Sequence, residues 1–371
     1  MRCLSWKLLG FFGVTLLGAL PAHAEVRIGL AAPLTGFAAW GAAETVEGAE
    51  IAVADLNARR GVLGERIEQI TVDDYCDGEQ AIAAANKLIA SGVAMVFGHQ
   101  CSGAAIPASE LYAEAGVLMI STFATNPKLT EQGFSNVFRV VGRDDVQGEI
   151  AAGLLPERWG NRPIAILHDG EAYGKGLAEE TKKGLSRRGI TETMFDEIAP
   201  EQADYFNIVE RMKGNGIAVL YYGGYPREAA VIIRQARSAG YDLQLVSGDA
   251  LGNEDFALIA GPAADGALMT LVPDPRATPA VAMLDERLDR VGAKPAYTAY
   301  GAVQASAQAV EKAGTFETEA VADALRSGEF ETVLGRIGFD DKGDVTGYDT
   351  FVWYQWQGGN YAPVDPAKLT E

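Results

Sequence analysis

From residue 25 onward, apolar and polar positions alternate between two periods. Residues 26–31 form a compact apolar run of strand length. Residues 46–59 then repeat apolar side chains at helical spacing, with Ile51, Val53, Ala54 and Leu56 on or near one face. The pattern predicts a strand over 67–72, a helix over 79–90, a strand over 93–98, a helix over 104–115 and a strand over 117–121. Such a βαβαβαβ order implies a parallel sheet with helices on both faces.

After a less regular passage the same order restarts. Strands are expected over 163–168, 193–198, 217–222, 243–247 and 267–271, and helices over 174–188, 205–213 and 226–239. Two such series argue for two similar lobes, and Pro273, Pro275 and Pro279 mark the break after the second. The tail reads as helices over 279–291, 296–313 and 319–326. Short strands over 332–339 and 350–357 follow, with a turn at 340–344 between them as a hairpin. This tail is poor material for a third domain and suits completion of the two lobes.

The first 24 residues stand outside this pattern. Arg2 and Lys7 precede an apolar run from Leu8 to Leu20, and Ala22-His23-Ala24 supplies a small-x-small cleavage site. The run falls short of the roughly 20 residues that cross a bilayer, so 1–24 is expected to be a cleaved export signal. The whole chain has 371 residues with 31 Lys/Arg and 50 Asp/Glu; without Arg2 and Lys7 the net charge is −21. A field of that sign repels phosphate backbones and argues against nucleic-acid and anionic-lipid partners.

Beyond the signal, only Cys76 and Cys101 remain. In an exported chain such a pair is expected to form one disulfide. Each follows a predicted strand end, where neighbouring parallel strands would bring them together. With His99 the one nearby histidine and His168 far along the chain, no metal site is expected. Other motifs fail: Gly170–Lys175 is one residue short of a phosphate loop and lacks its Ser/Thr, 340–344 lacks the alternating ligands of a calcium loop, and no Gly-x-Ser-x-Gly elbow occurs. No cofactor is expected.

In open parallel sheets, ligands bind beyond the carboxyl ends of the strands, against helix N-termini. Here those loops are 33–41, 98–103 and 121–127 in the first series, and 169–174, 223–226 and 247–249 in the second. The segments DDYCDGEQAIAAANKLI (73–89), GHQCSGAAIPASELYAEAGVLMIS (98–121), YGKGLA (173–178), YYGGY (221–225) and RQARSAG (234–240) stand in an order and spacing that resembles the leucine/isoleucine/valine-binding family of periplasmic proteins. The resemblance covers essentially the whole chain after the signal. It implies a type I periplasmic binding protein fold, α/β, with two doubly wound parallel-sheet lobes joined by a three-segment hinge. The lobes would be 25–142 with 273–350 and 143–272 with 351–371. It also implies a Cys76–Cys101 disulfide, a monomer, ligand capture in the cleft, and delivery to a membrane-embedded ABC permease.

The resemblance also assigns roles. A zwitterionic amino acid needs donors for its carboxylate and acceptors for its ammonium. Ser102, read as a helix N-cap, and Thr125 would hold the carboxylate. Asp249, where family members often carry Glu, would take the ammonium from the second lobe. Trp40 and Tyr173 would clamp the ligand from opposite lobes, the Tyr225 hydroxyl would reach the ammonium, and Tyr297 would add a wall. Phe123 replaces a small residue, and its carbonyl would accept from the ammonium. Branched-chain or other apolar amino acids are the expected ligands. The alternatives are γ-aminobutyrate, proline, an aromatic acid or an amide, or an exported amidase-type enzyme using the same cleft.

Overall fold

A computed structural model describes residues 25–274, 279–290 and 292–368. The expected signal over 1–24 and position 291 of the expected helix 279–291 lie outside the described residues. The first lobe begins β1 (Glu25–Ala32), α1 (Ala42–Ala58), β2 (Arg66–Asp73), α2 (Gly78–Ala90), β3 (Met95–Phe97), α3 (Ser102–Ala115), β4 (Leu118–Ser121), α4 (Lys128–Glu131) and β5 (Val137–Arg139). These strands form one parallel sheet in the order β2-β1-β3-β4-β5.

The second lobe comprises α5 (Asp144–Trp159), β6 (Ile164–His168), α6 (Ala172–Arg187), β7 (Met194–Glu197), α7 (Phe206–Gly214), β8 (Val219–Gly223), α8 (Pro226–Ser238), β9 (Gln244–Ser247), α9 (Glu254–Ala260) and β10 (Leu268–Leu271). The chain then returns to the first lobe through α10 (Pro279–Asp285), α11 (Lys294–Ala313), α12 (Thr318–Arg326), β11 (Glu329–Thr332), β12 (Gly335–Phe339) and β13 (Val345–Thr346). It ends in the second lobe with β14 (Val352–Gln357) and β15 (Asn360–Pro363), which extend that sheet to β15-β14-β10-β9-β8-β6-β7. The chain thus passes between the sheets three times.

Each sheet is covered on both faces. In the first lobe, Leu30, Phe97 and Ile120 pack with Ala299, Val303 and Val310 of α11, while Val96 and Met119 pack with Leu88 of α2 and Tyr112 of α3. Burial on both faces explains why the strands read as continuous apolar runs.

Four features differ from the sequence expectation. The less regular passage contains β5 and the 16-residue α5. The strands expected over 332–339 and 350–357 do not form a hairpin: β12 pairs with β11 and β13, whereas β14 pairs with β10 and β15 in the other lobe. The helix expected over 279–291 stops at Asp285. Cys76 and Cys101 are bonded, but β2 and β3 are not neighbours. Both flank β1, so the disulfide joins loops on either side of the central strand.

One buried cation organises the end of the first sheet. Arg139 is fully buried on β5 and pairs through Nε with Asp344 Oδ1 at 2.6 Å. Its Nη1 donates to the carbonyls of Ala124 (3.1 Å) and Asn126 (2.9 Å), and Nη2 to Thr130 Oγ1 (2.7 Å). Asp344, on the turn between β12 and β13, also accepts from Arg143 Nη1 at 2.7 Å. The loop that carries Thr125 is therefore fixed from beneath by a paired, hydrogen-bonded charge, the form in which a buried ion is tolerated.

Candidate functional site

The loops beyond the strand ends converge on a small cavity between the lobes, the place where open parallel sheets bind ligands. Trp40, Gln100, Cys101, Ser102, Phe123 and Thr125 line it from the first lobe, and Tyr173, Tyr225, Asp249 and Ala250 from the second. Seven of the eight expected ligand residues meet there.

Each wall has a local cause. Trp40 sits on a short 3-10 turn (Ala39–Gly41) leading into α1, and its ring meets Phe123 edge to face at 6.4 Å. Its indole N–H is buried without a protein partner. Ser102 is the first residue of α3, and Cys101 takes the cap position. The expected N-cap role is therefore corrected: the Ser102 hydroxyl accepts from Asn126 N at 3.2 Å and ties together the loops holding Ser102 and Thr125. The amides at the start of this 14-residue helix remain at the cavity wall, where they favour an anion.

On the opposite wall, Asp249 follows β9 and opens a 3-10 turn (Asp249–Leu251). Trp356 of β14 supports that turn, its Nε1 donating to Leu251 O at 3.1 Å. Asp249 is not a helix cap, because Asn253 serves that role for α9. Its Oδ1 accepts from Gln147 Nε2 (2.7 Å) and from the Tyr173 hydroxyl (2.9 Å), which leaves carboxylate acceptor capacity for an ammonium. The Tyr173 oxygen in turn accepts from Ala250 N at 3.2 Å. Gly248 permits this packing, since a Cβ there would lie 2.5 Å from Leu177 Cδ2 and 2.8 Å from the Tyr173 hydroxyl. Burial pushes the Asp249 carboxyl up from its usual range and the Tyr173 phenol well above its own, so Tyr173 remains a donor.

Tyr225 reaches across the cleft. Its hydroxyl lies 3.6 Å from Cys76 Sγ, and its ring stacks edgewise on Phe37 at 5.0 Å. Asn126 Nδ2 donates to Ala172 O at 2.7 Å, and Arg290 bridges Glu44 and Glu254. The two lobes are in contact around the cavity.

Tyr297 is not brought to this cavity. Its hydroxyl donates to Asp285, and it lines a separate pocket near the interlobe crossings with Val272, Lys294 and Tyr348. Lying near the N-terminus of α11, it is buried against α10 and turned away from the ligand loops. Tyr297→Phe should leave the ligand dissociation constant within about twofold, because positions without shared partners act independently; calorimetric titration checks this.

Two residues that sequence reasoning missed stand behind the site. Gln147 and Asp144, on the first two turns of α5, are fully buried. Gln147 Nε2 also donates to Asp144 Oδ1 (2.9 Å), while its Oε1 accepts from Thr270 at 2.5 Å. An acidic pair after Arg143 was the available signal, since acids favour a helix's first turn.

Comparison with known proteins agrees with this geometry. Residues 25–360 match the profile described as "Periplasmic binding protein". The chain is 42% identical over 361 residues to "Leu/Ile/Val-binding protein homolog 1" of Brucella suis, covering 95% of this chain and 97% of the relative. It is 38% identical over 338 residues to the "Leucine-, isoleucine-, valine-, threonine-, and alanine-binding protein" of Pseudomonas aeruginosa, covering 89% and 90%. A crystal structure of a leucine binding protein from Thermotoga maritima superposes with a TM-score of 0.84 at 25% identity, covering 92% of this chain and 98% of that one. Two lobes on parallel sheets, a cavity closed by loops from both, and full-length relatives of one kind lead to a single assignment: the chain belongs to the periplasmic binding protein family.

Proposed function

We propose that this chain captures a small apolar α-amino acid between its lobes and presents it to an ABC permease. Asp249 carries the reading: a buried carboxylate, held by Gln147 and Tyr173, faces a cavity whose other wall offers the Ser102 hydroxyl and the first amides of α3. A zwitterion satisfies both walls at once, and only when the lobes are closed. Ligand therefore favours the closed form through contacts that the open form lacks. Closure would turn the lobes, 25–142 with 273–350 and 143–272 with 351–371, about the three crossings. Trp40 and Phe123 would receive the ligand's side chain. The ligands named for the relatives, leucine, isoleucine, valine, threonine and alanine, set the size range.

Binding without turnover is the second part of the reading. Cys101 is committed to a disulfide, His99 is buried against Asp74 (2.7 Å) and Tyr112 (3.1 Å), and His168 does not line the cavity. We read the protein as a monomer acting in the periplasm. Isothermal calorimetry across apolar, polar and non-α amino acids should give 1:1 binding strongest among the small apolar members. Silence across that panel, or hydrolysis of amino-acid amides that persists in Asp249→Ala, would overturn the proposal.

A further inference from the structure

Two acids are buried against one amide. The two N–H groups of Gln147 go separately to Asp144 Oδ1 (2.9 Å) and Asp249 Oδ1 (2.7 Å), and Thr270 fixes the amide's orientation by donating to its oxygen. Asp249 lines the cavity, whereas Asp144 stands behind it with no exposed surface. The cation facing Asp144 is Arg139, whose guanidinium is already paired with Asp344 at 2.6 Å. The other groups facing the pair are uncharged: Thr125, Thr270, and the phenols of Tyr173, Tyr221 and Tyr225, all three held protonated because burial pushes them up. Burial also pushes both carboxyls up, and the charge on Asp249 adds to the effect on Asp144. Two carboxylates with so little compensation do not both ionise readily.

We infer that Asp144 and Asp249 share one proton in the ligand-free protein, that the ligand ammonium expels it to solvent, and that Gln147 is the positioning residue holding the two carboxyls together. The inference rests on the amino-acid reading given above. On binding, a carboxylic acid and a carboxylate become two carboxylates, the ammonium supplies the compensating positive charge, and the proton passes to the buffer. Affinity consequently rises with pH until the pair is already ionised, with the dissociation constant falling by up to about tenfold per pH unit.

Calorimetry with L-leucine, L-valine and L-alanine near neutral pH, in phosphate and in Tris, tests this without any substitution. The observed enthalpy should shift with the buffer's ionisation enthalpy and report up to one proton released. Release should fall to near zero in Asp144→Asn. It should persist in Asp169→Asn, which controls for a carboxyl that burial pushes up to about 7 on the loop before Tyr173. Measurable binding with buffer-independent heat overturns the inference and leaves amino-acid capture standing. Absence of binding instead strikes the functional proposal. Carboxyl carbon NMR of the ligand-free protein then decides the proton, and two fully ionised aspartates at mildly acidic pH would refute it.

Discussion

Asp249→Ala should weaken amino-acid binding by about 30-fold to several thousand-fold, corresponding to the roughly 2–5 kcal/mol lost when one partner of a desolvated charge pair is removed. The ligand-free fold should not weaken in parallel. Asp249 is buried, and burial holds its carboxyl above the usual carboxylate range. A carboxyl raised in the folded state adds stability below its unfolded value, and that contribution disappears as pH climbs through the raised value. Burying this acid beside Asp144 therefore costs the empty protein free energy as the pair ionises, and alanine removes that cost. Calorimetry and a thermal melt without ligand separate the two effects. Retained affinity, or a large drop in the ligand-free Tm, would show that Asp249 is structural.

The opposite signature is expected at Asp344. Asp344→Ala removes the carboxylate paired with Arg139 and Arg143 and leaves Arg139, with no exposed surface, as a buried cation without its ion partner. Breaking a buried pair from one side costs about 3–5 kcal/mol. Because Arg139 also holds the carbonyls of Ala124 and Asn126, the Thr125 loop should loosen and affinity should fall with stability. Urea denaturation reads the first effect and calorimetry the second. An unchanged denaturation midpoint would rule out this account of the charge cluster.

The sequence reading succeeded where a physical period or a loop position carried the information. Strands buried on both faces are short apolar runs, so the parallel strands of both sheets were legible, and the loops beyond their ends supply Trp40, Ser102, Phe123, Thr125, Tyr173, Tyr225 and Asp249 to the cavity lining. It failed where burial is not apolar. The inner surface of α5 is Asp144, Gln147, Gly148, Ala151, Ala152, Leu154 and Leu155, polar or small through its first turns and apolar only at its end, so the hydrophobic stripe is too short to reveal a helix. Tyr297 failed for another reason, since a tyrosine near a helix start reads the same whether it faces a cleft or a neighbouring helix. The misassigned hairpin reflects strand partners chosen by tertiary packing across long sequence separations, which a turn signal between adjacent runs does not disclose.

The two ends of the cavity are built from different materials. Around Asp249, a glycine without room for a methyl group, a buried tyrosine and a glutamine pinned by Thr270 leave almost no substitution that spares the geometry. Trp40 and Phe123 sit on connecting segments of the other lobe and touch each other edgewise. Under the proposed function, a lineage, or a protein engineer, would exchange the menu of ligand side chains at 40 and 123 while the demand for an amino group at Asp249 stays in place.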